Sequence, residues 1–416
     1  MPTAGGITAR EDVRREISTP HPPRHTSALE AVAGSHAQGR TMMHRIALST
    51  LLHERGKFAG SVAGVAFAST LALVEAGLYQ GFTRAASSVI TAAGGDLWVM
   101  ERGTKVLDDG PILPGSTRAL LSSHPCVSRV RALGFRYVAA RPSDGSEAPV
   151  ILVGFEPDTT HLLPWNIQRG LPDDLHGPLR VSVDVSDLPR LSLPANPIGA
   201  TLRLGGHAST IAVVTHRIRS FSLAPYVFGE MDTFRRLTKA GPDEANYWLA
   251  DLTTPQCTSD VVAFVQRHPR LKALRRQAFA GMTEHYWVWG SGAGPILLFS
   301  MLLGIVVGAL IVAQTLRSLA RDHFKELATM RALGATKREV LSFVGWQMAL
   351  LGGLGMALGG LLALGLGHLA GALGLAVVLS PPVLALGAAA VLGICLLSSL
   401  GSFRAVARIE PAEVFR

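Results

Sequence analysis

Charged and aromatic side chains are scarce in this 416-residue sequence: Asp, Glu, Lys and Arg together make up 17%, and Phe, Trp and Tyr only 6%. With 48% of residues hydrophobic and a positive mean hydropathy, that is too little charge to cover a soluble surface, so a membrane is the sink for the excess. Cysteine is nearly absent. Cys126, Cys257 and Cys395 show no Cys-x-x-Cys spacing, which argues against a zinc site or a disulfide framework. A Cys126–Cys257 bridge is left open, because an isolated pair says nothing about geometry. Catalytic signatures are missing as well. There is no Gly-x-x-x-x-Gly-Lys followed by Ser or Thr, no His-Glu-x-x-His and no Gly-x-Ser-x-Gly. His161, His176, His207 and His216 are scattered among Pro and Gly and read as surface residues rather than metal ligands. The expectation is a non-enzyme without cofactor or metal, whose energy comes from a partner.

What is present is a set of apolar runs edged by cations. Residues 1–41 hold Pro2, Pro20, Pro22 and Pro23 and no apolar period, so they read as a disordered tail. Met42 and Met43 follow, and an upstream start-site misassignment and a genuine cytosolic extension both account for the tail. Residues 42–57 form an amphipathic lead-in for the membrane surface. The run 58–81 is long enough to cross a bilayer core of about 30 Å, and so are 295–316, 340–366 and 377–402. Arg40, Arg45, Arg55 and Lys57 precede the first run, Arg317 to Arg338 fill the loop after the second, and Arg404, Arg408 and Arg416 follow the fourth. By the positive-inside rule both termini and the 317–339 loop are cytoplasmic. The net charge of +9 thus reflects topology, and no basic stripe with interleaved aromatics points to nucleic acid.

The fold class that follows is a membrane protein with four transmembrane α-helices and a large extracytoplasmic α+β domain, 82–290, inserted between the first and second. Within it the sequence predicts helices at 82–93, 116–123, 231–239 and 259–267, and strands at 96–100, 245–252 and 271–278. Hairpins are expected at 130–154, turning at Pro142-Ser143-Asp144-Gly145, and at 200–215 around Gly205-Gly206. Ser123-His124-Pro125 and Arg267-His268-Pro269 each end a helix before a strand, an internal echo of two units flanking one sheet. Small residues recur every four positions in the spans, at Gly60, Gly64 and Ala68, at Ser300, Gly304 and Gly308, and at Gly355, Gly359 and Ala363, as close helix packing needs. Glu75 is the one acid well inside a span and reads as an interfacial carboxylate reaching water. Tyr286, Trp287 and Trp289 read as an outer interfacial belt.

The most informative stretch is 325–339, Lys-Glu-Leu-Ala-Thr-Met-Arg-Ala-Leu-Gly-Ala-Thr-Lys-Arg-Glu, between the second and third runs. Leu327, Met330 and Leu333 supply an apolar stripe, Gly334 can take the left-handed conformation that stops a helix, and Thr336 with Glu339 forms a capping-box pattern for the next one. A compact knuckle of this kind suits a membrane protein on which a soluble motor pushes. The four-span layout, residues 326–336 and the terminal segment 404–414 resemble the FtsX/MacB-type permeases of ABC transporters. Ala63-Gly64-Val65-Ala66-Phe67-Ala68, Gly94-Gly95-Asp96-Leu97-Trp98-Val99 and the segment 323–334 resemble the DevC-like branch, and the likeness covers about residues 43–416. The resemblance implies a homodimeric permease of the cell inner membrane, each copy bound to a separate ABC ATP-binding subunit. It implies a coupling helix at 318–335 with Glu326, Met330, Arg331, Leu333 and Gly334 at the ATPase contact, and a periplasmic membrane-fusion adaptor. The implied work is export of a lipid, lipoprotein or small hydrophobic cargo. The rival readings are a force-transmitting subunit acting on a periplasmic partner, and a membrane-anchored sensor without an ATPase.

Overall fold

A computed structural model describes residues 55–158, 163–322, 336–372, 375 and 377–393. Its first element is helix α1, Arg55–Ala93. No break occurs at residues 81–82: the segment expected as a separate helix continues the first span, and no proline interrupts the ladder. At 1.5 Å per residue its 39 residues extend roughly 58 Å, nearly twice a bilayer core. Gly94 and Gly95, with φ of +70° and +77°, end it in the left-handed conformation that glycine adopts without a Cβ penalty.

The chain then builds an α+β domain on one ten-stranded sheet. Strand β1 (Leu97–Glu101), helix α2 (Ser116–Ser122) and β2 (Val127–Arg141) make one unit, and β9 (Tyr247–Leu252), α4 (Thr258–Gln266) and β10 (Leu271–Arg275) make another. The order β10-β1-β9-β2, with antiparallel neighbours, interleaves the two as a split βαβ arrangement. The sequence echo has a structural counterpart. The amides of His124 and His268 donate to the carbonyls three residues back, and those of Val127 and Leu271 donate to the carbonyls of these histidines at 3.0 Å. Strand 271–278 is shorter than expected, because the chain turns at Arg276 into helix α5, Arg276–His285.

Between the two units lie β3 (Ala148–Phe155), β4 (Ile167–Arg169), β5 (Arg180–Asp184), β6 (Thr201–Leu204), β7 (His207–Thr215), β8 (Tyr226–Glu230) and helix α3 (Met231–Thr238). Strand β2 pairs with β9 over Val127–Leu133 and with β3 over Leu133–Ala140, so one strand threads both lobes. The pairs β3–β8 and β5–β7 are parallel. Gly134 and Gly154 face each other across β2 and β3, and the Phe234 ring of α3 lies against both, where a Cβ would fall within 2.6 Å of it. The β6–β7 turn is the expected Gly205-Gly206, with both φ values positive as a two-residue hairpin turn demands.

Alternation along β1 divides the core. Leu97 and Val99 join α2, α3 and α4 on one face, whereas Trp98 and Met100 join α5 and the upper end of α1 on the other. Cys126 and Cys257 are disulfide-bonded, with Cα atoms 5.8 Å apart. The bridge left open by spacing is therefore formed, because the approach of β2 to the start of α4 is created by the sheet and not by sequence proximity.

Beyond α5 a π-turn at Tyr286–Gly290 leads into α6, Ala293–Asp322; α7 spans Lys337–Ala372, and a shorter apolar helix, α8, runs over Pro381–Gly393. Among the described residues three helices are long and apolar enough to cross a membrane, with candidate spans at Phe58–Ala93, Ala293–Ile311 and Gly345–Gly371. The chain is a membrane protein on this count.

Candidate functional site

The site is a path along α1 from the membrane helices into the domain. At the lower end α1 lies between α6 and α7. Cβ atoms added at Gly355 and Gly359 of α7 would meet Val65 at 2.5 Å and the Ala66 carbonyl and Ser69 at 2.6 Å, and one at Gly308 of α6 would meet Ala68 at 2.7 Å. The Thr70 hydroxyl donates to the Ala66 carbonyl and also to the Gly359 carbonyl at 3.2 Å, an interhelical bond that close approach permits. Small residues are thus used where α1 crosses its neighbours, but not along the whole predicted stripe: among the described residues nothing lies within 4 Å of a Cβ at Gly60.

Higher up, side chains replace backbone contact. Ser300 of α6 donates to Glu75 at 2.8 Å, so this carboxylate bridges two helices instead of standing alone at the interface. The Val378 amide donates to the Gly77 carbonyl at 3.0 Å, and Ser380 donates to Gln80 at 2.7 Å. Ser87 donates to Glu284 of α5 at 2.5 Å. The aromatic belt divides: Trp289 is exposed, while Trp287 turns inward onto Phe221, with ring centroids 4.2 Å apart, and Phe221 meets Phe82 of α1.

The upper end of α1 is held inside the domain. Val89, Ile90 and Ala93 are buried with Trp98, Tyr247 and Phe279. Arg131, itself buried on β2, donates to the Ala93 carbonyl at 3.1 Å and pairs with Asp158 and Asp251, each at 3.1 Å. A guanidinium at a helix C-terminus satisfies a carbonyl that the helix leaves orphaned and opposes the negative end of its dipole. The Trp98 indole donates to the Gly94 carbonyl at 2.9 Å, so the Gly-Gly-Asp-Leu-Trp stretch works as a terminator and an anchor together. Sequence reasoning missed Arg131. Its only signal is a cation at an inward position of a strand, between Val130 and Ala132.

Of the residues expected at the ATPase contact, Glu326, Met330, Arg331, Leu333 and Gly334 lie outside the described residues. Thr336 and Glu339 lie within them. The Thr336 amide donates to Glu339 Oε2 at 2.8 Å and the Glu339 amide approaches the Thr336 hydroxyl at 3.4 Å, the reciprocal pair of a capping box at the first turn of α7. The expected disordered tail, most of the lead-in at 42–57, the C-terminal part of 377–402 and the tail at 403–416 also fall outside the described residues. His176 pairs with Glu230 and His216 meets the Asn166 carbonyl at 2.9 Å, both at the surface.

Among solved structures the chain is similar to the extracellular domain of the noncanonic ABC-type transporter YknZ from Gram-positive bacteria. The identity is 12%, the match covers 44% of this chain and 99% of that one, and the TM-score is 0.33. It is similar also to the periplasmic region of MacB from Actinobacillus actinomycetemcomitans, at 12% identity, 47% and 95% coverage and a TM-score of 0.36. No curated protein matches the sequence. Residues 298–411, which begin in α6 and include α7 and α8, match the model of the FtsX-like permease C-terminal family.

Proposed function

We propose that this chain is the membrane-spanning, non-catalytic subunit of an ABC transporter of FtsX/MacB type, DevC-like in branch. ATP hydrolysis in a separate ATP-binding subunit changes the conformation of its outer domain. One observation carries the reading: α1 is a single helix whose lower half packs on α6 and α7 and whose upper end is clamped in the domain core by Arg131. A displacement of α7 reaches the sheet through one stiff element. The turn at 317–339, with Glu326, Met330, Arg331, Leu333 and Gly334, is the ATPase contact, and the cap at Thr336 and Glu339 fixes where α7 starts.

In this reading the chain is multi-pass in the cell inner membrane, with 377–402 as a fourth span and both termini in the cytoplasm. The domain at 82–290 is then periplasmic, in keeping with the Cys126–Cys257 bridge, since disulfides persist in oxidising compartments. The chain works as a homodimer, with a membrane-fusion adaptor, exporting a lipid, lipoprotein or small hydrophobic molecule. Force delivery to a periplasmic partner is the second reading, favoured by a rod that ends in a clamp.

Affinity purification in mild detergent, with an ATPase assay and a Gly334→Pro control, tests the proposal. A stoichiometric ATPase lost in the control supports it, and no ATPase even after crosslinking overturns it. Stimulation by cargo in vesicles, as against dependence on a soluble outer protein, decides between transport and force delivery.

A further inference from the structure

A cavity of about 750 Å³ opens where the outer end of α7, the middle of α1 and the underside of the domain meet. Its volume is within the range of small-molecule sites. Its two halves differ in chemistry. The domain side carries Arg217 and Arg219, and α1 adds Arg84 from the turn just past residue 81. The membrane side is lined by Leu364 of α7 and by Leu375, Val377 and Leu379 of the segment entering α8. Among the described lining residues there is no carboxylate.

The arginines are held in place by the fold. Asp184, buried at the end of β5, accepts the Ile218 amide at 2.9 Å and the Thr215 hydroxyl at 3.1 Å, which pins the turn after β7. Ile218 is buried in the core, so Arg217 and Arg219 on either side of it both line the cavity. Arg217 is held at φ +60°, a conformation that costs a non-glycine residue energy. Arg219 Nη1 is shielded from solvent and has no hydrogen-bond partner among the described residues, a donor that burial makes costly to leave unmet. Asp187 interacts with Arg219, and its carboxyl is pushed up to about 7, chiefly by burial and secondly by Asp184, so it balances Arg219 only in part at neutral pH.

We propose that this cavity binds an anionic amphiphile, its phosphate or carboxylate head on Arg84, Arg217 and Arg219 and its hydrocarbon chain along Leu364, Leu375 and Leu379 at the outer face of the membrane. The guanidiniums supply forked donors that match such a head group, and the leucines remove the chain from water. The inference rests on the reading of α1 and α7 as membrane spans and adds the ligand that their outer ends would hold.

The test uses the full-length protein in detergent, without any ATPase, and native mass spectrometry with added dioleoyl phosphatidylglycerol, dioleoyl phosphatidylcholine, dihexanoyl phosphatidylglycerol or inorganic phosphate. The expected result is saturable binding of the long-chain anionic lipid over the zwitterionic one. Arg217→Gln with Arg219→Gln should weaken it by roughly tenfold or more, the scale of a lost charged hydrogen bond. Leu364→Trp, which keeps every charge, should weaken the long-chain lipid and leave the short-chain one unchanged. Equal binding of both long-chain lipids overturns the proposal, as does a double variant that folds with an unchanged melting temperature and still binds like the parent. If inorganic phosphate or the short-chain lipid binds as tightly as the long-chain one, the site is an anion site alone and the amphiphile assignment falls. A parent protein that binds no lipid yet co-purifies with an ATPase would sink this inference and spare the permease reading; a parent that binds the anionic lipid but retains no ATPase would do the opposite.

Discussion

The two ends of α1 are buried by opposite means. In the membrane half, Ala66, Ala68 and Ser69 meet Gly308, Gly355 and Gly359 at backbone distance, and few polar groups cross between helices. In the domain, Val89, Ile90 and Ala93 sit among Trp98, Tyr247 and Phe279, with the end of the helix fixed by an arginine and two carboxylates. Lipid gives no hydrophobic drive to bring helices together, so close fit and a few hydrogen bonds must serve there. In water the burial of large side chains supplies the drive, and an ion cluster adds direction. The helix is thus held by backbone fit at its lower end and by side-chain burial with an ion cluster at its upper end.

The comparison breaks most visibly at Arg131. Removing it frees the carbonyl of Ala93 and leaves the buried Asp158 paired with Arg129, and breaking a buried charge cluster in this way costs about 3 kcal/mol. Arg131→Ala should therefore lower the unfolding temperature of the outer domain sharply, read by near-ultraviolet circular dichroism in detergent, while the membrane helices stay folded. Equal loss from both halves would show that the clamp is not local. Cys126→Ser comes next, at about 2–4 kcal/mol, because the bridge closes a loop of 131 residues. Dithiothreitol should reproduce the variant's melting temperature in the parent and leave the variant itself unmoved.

At the membrane end the matching change is Gly359→Leu, which drives a side chain into the Ala66 carbonyl and Ser69 and should cost about 1–3 kcal/mol by overpacking. Unfolding of the membrane helices, followed by far-ultraviolet circular dichroism in detergent, should come at a lower temperature, with the domain's own melting unchanged. The domain alone should also titrate. Burial raises the carboxyls of Asp108 to about 6 and Asp187 to about 7 from a usual 3.8, so the folded state binds the proton more tightly than the unfolded chain. Stability from these groups is full below about pH 4, falls as pH rises from there and is lost by about pH 7, on the order of several kcal/mol together. Asp187→Asn should flatten the slope between about pH 4 and pH 7. A melting temperature that climbs over that range would reverse the assignment.

Local chemistry was legible where it acts over a few residues. Gly205-Gly206, the alternation of 97–100 and the Thr336/Glu339 cap follow from turn, strand and helix-end rules alone. Strands β4, β5 and β8 escaped because they have three to five residues and two of them pair in parallel with partners far along the chain, so no short-range pattern marks them. Helix α5 escaped for another reason: nothing like Gly or Pro punctuates the change from strand to helix at Arg276. The disulfide, the Glu75–Ser300 bridge and the Arg131 clamp all depend on contacts that the sheet and bundle create, and such pairs cannot be read from spacing.

The smallest expected effect lies at the other end of the path. Thr336→Ala removes the hydroxyl that meets the Glu339 amide and that donates to the Glu339 carboxylate, while the bond from the 336 backbone amide remains, a loss of about 1 kcal/mol confined to the first turn of α7. Global melting should hardly move. Hydrogen exchange at residues 337–340 should rise about fivefold, since 1 kcal/mol of local opening is that factor. If α7 is the element that carries motion to α1, the frayed start should also lower ATPase stimulation without lowering ATPase binding. A cap that serves only folding would change exchange alone, and that split between the two readouts separates a structural helix start from a coupling one.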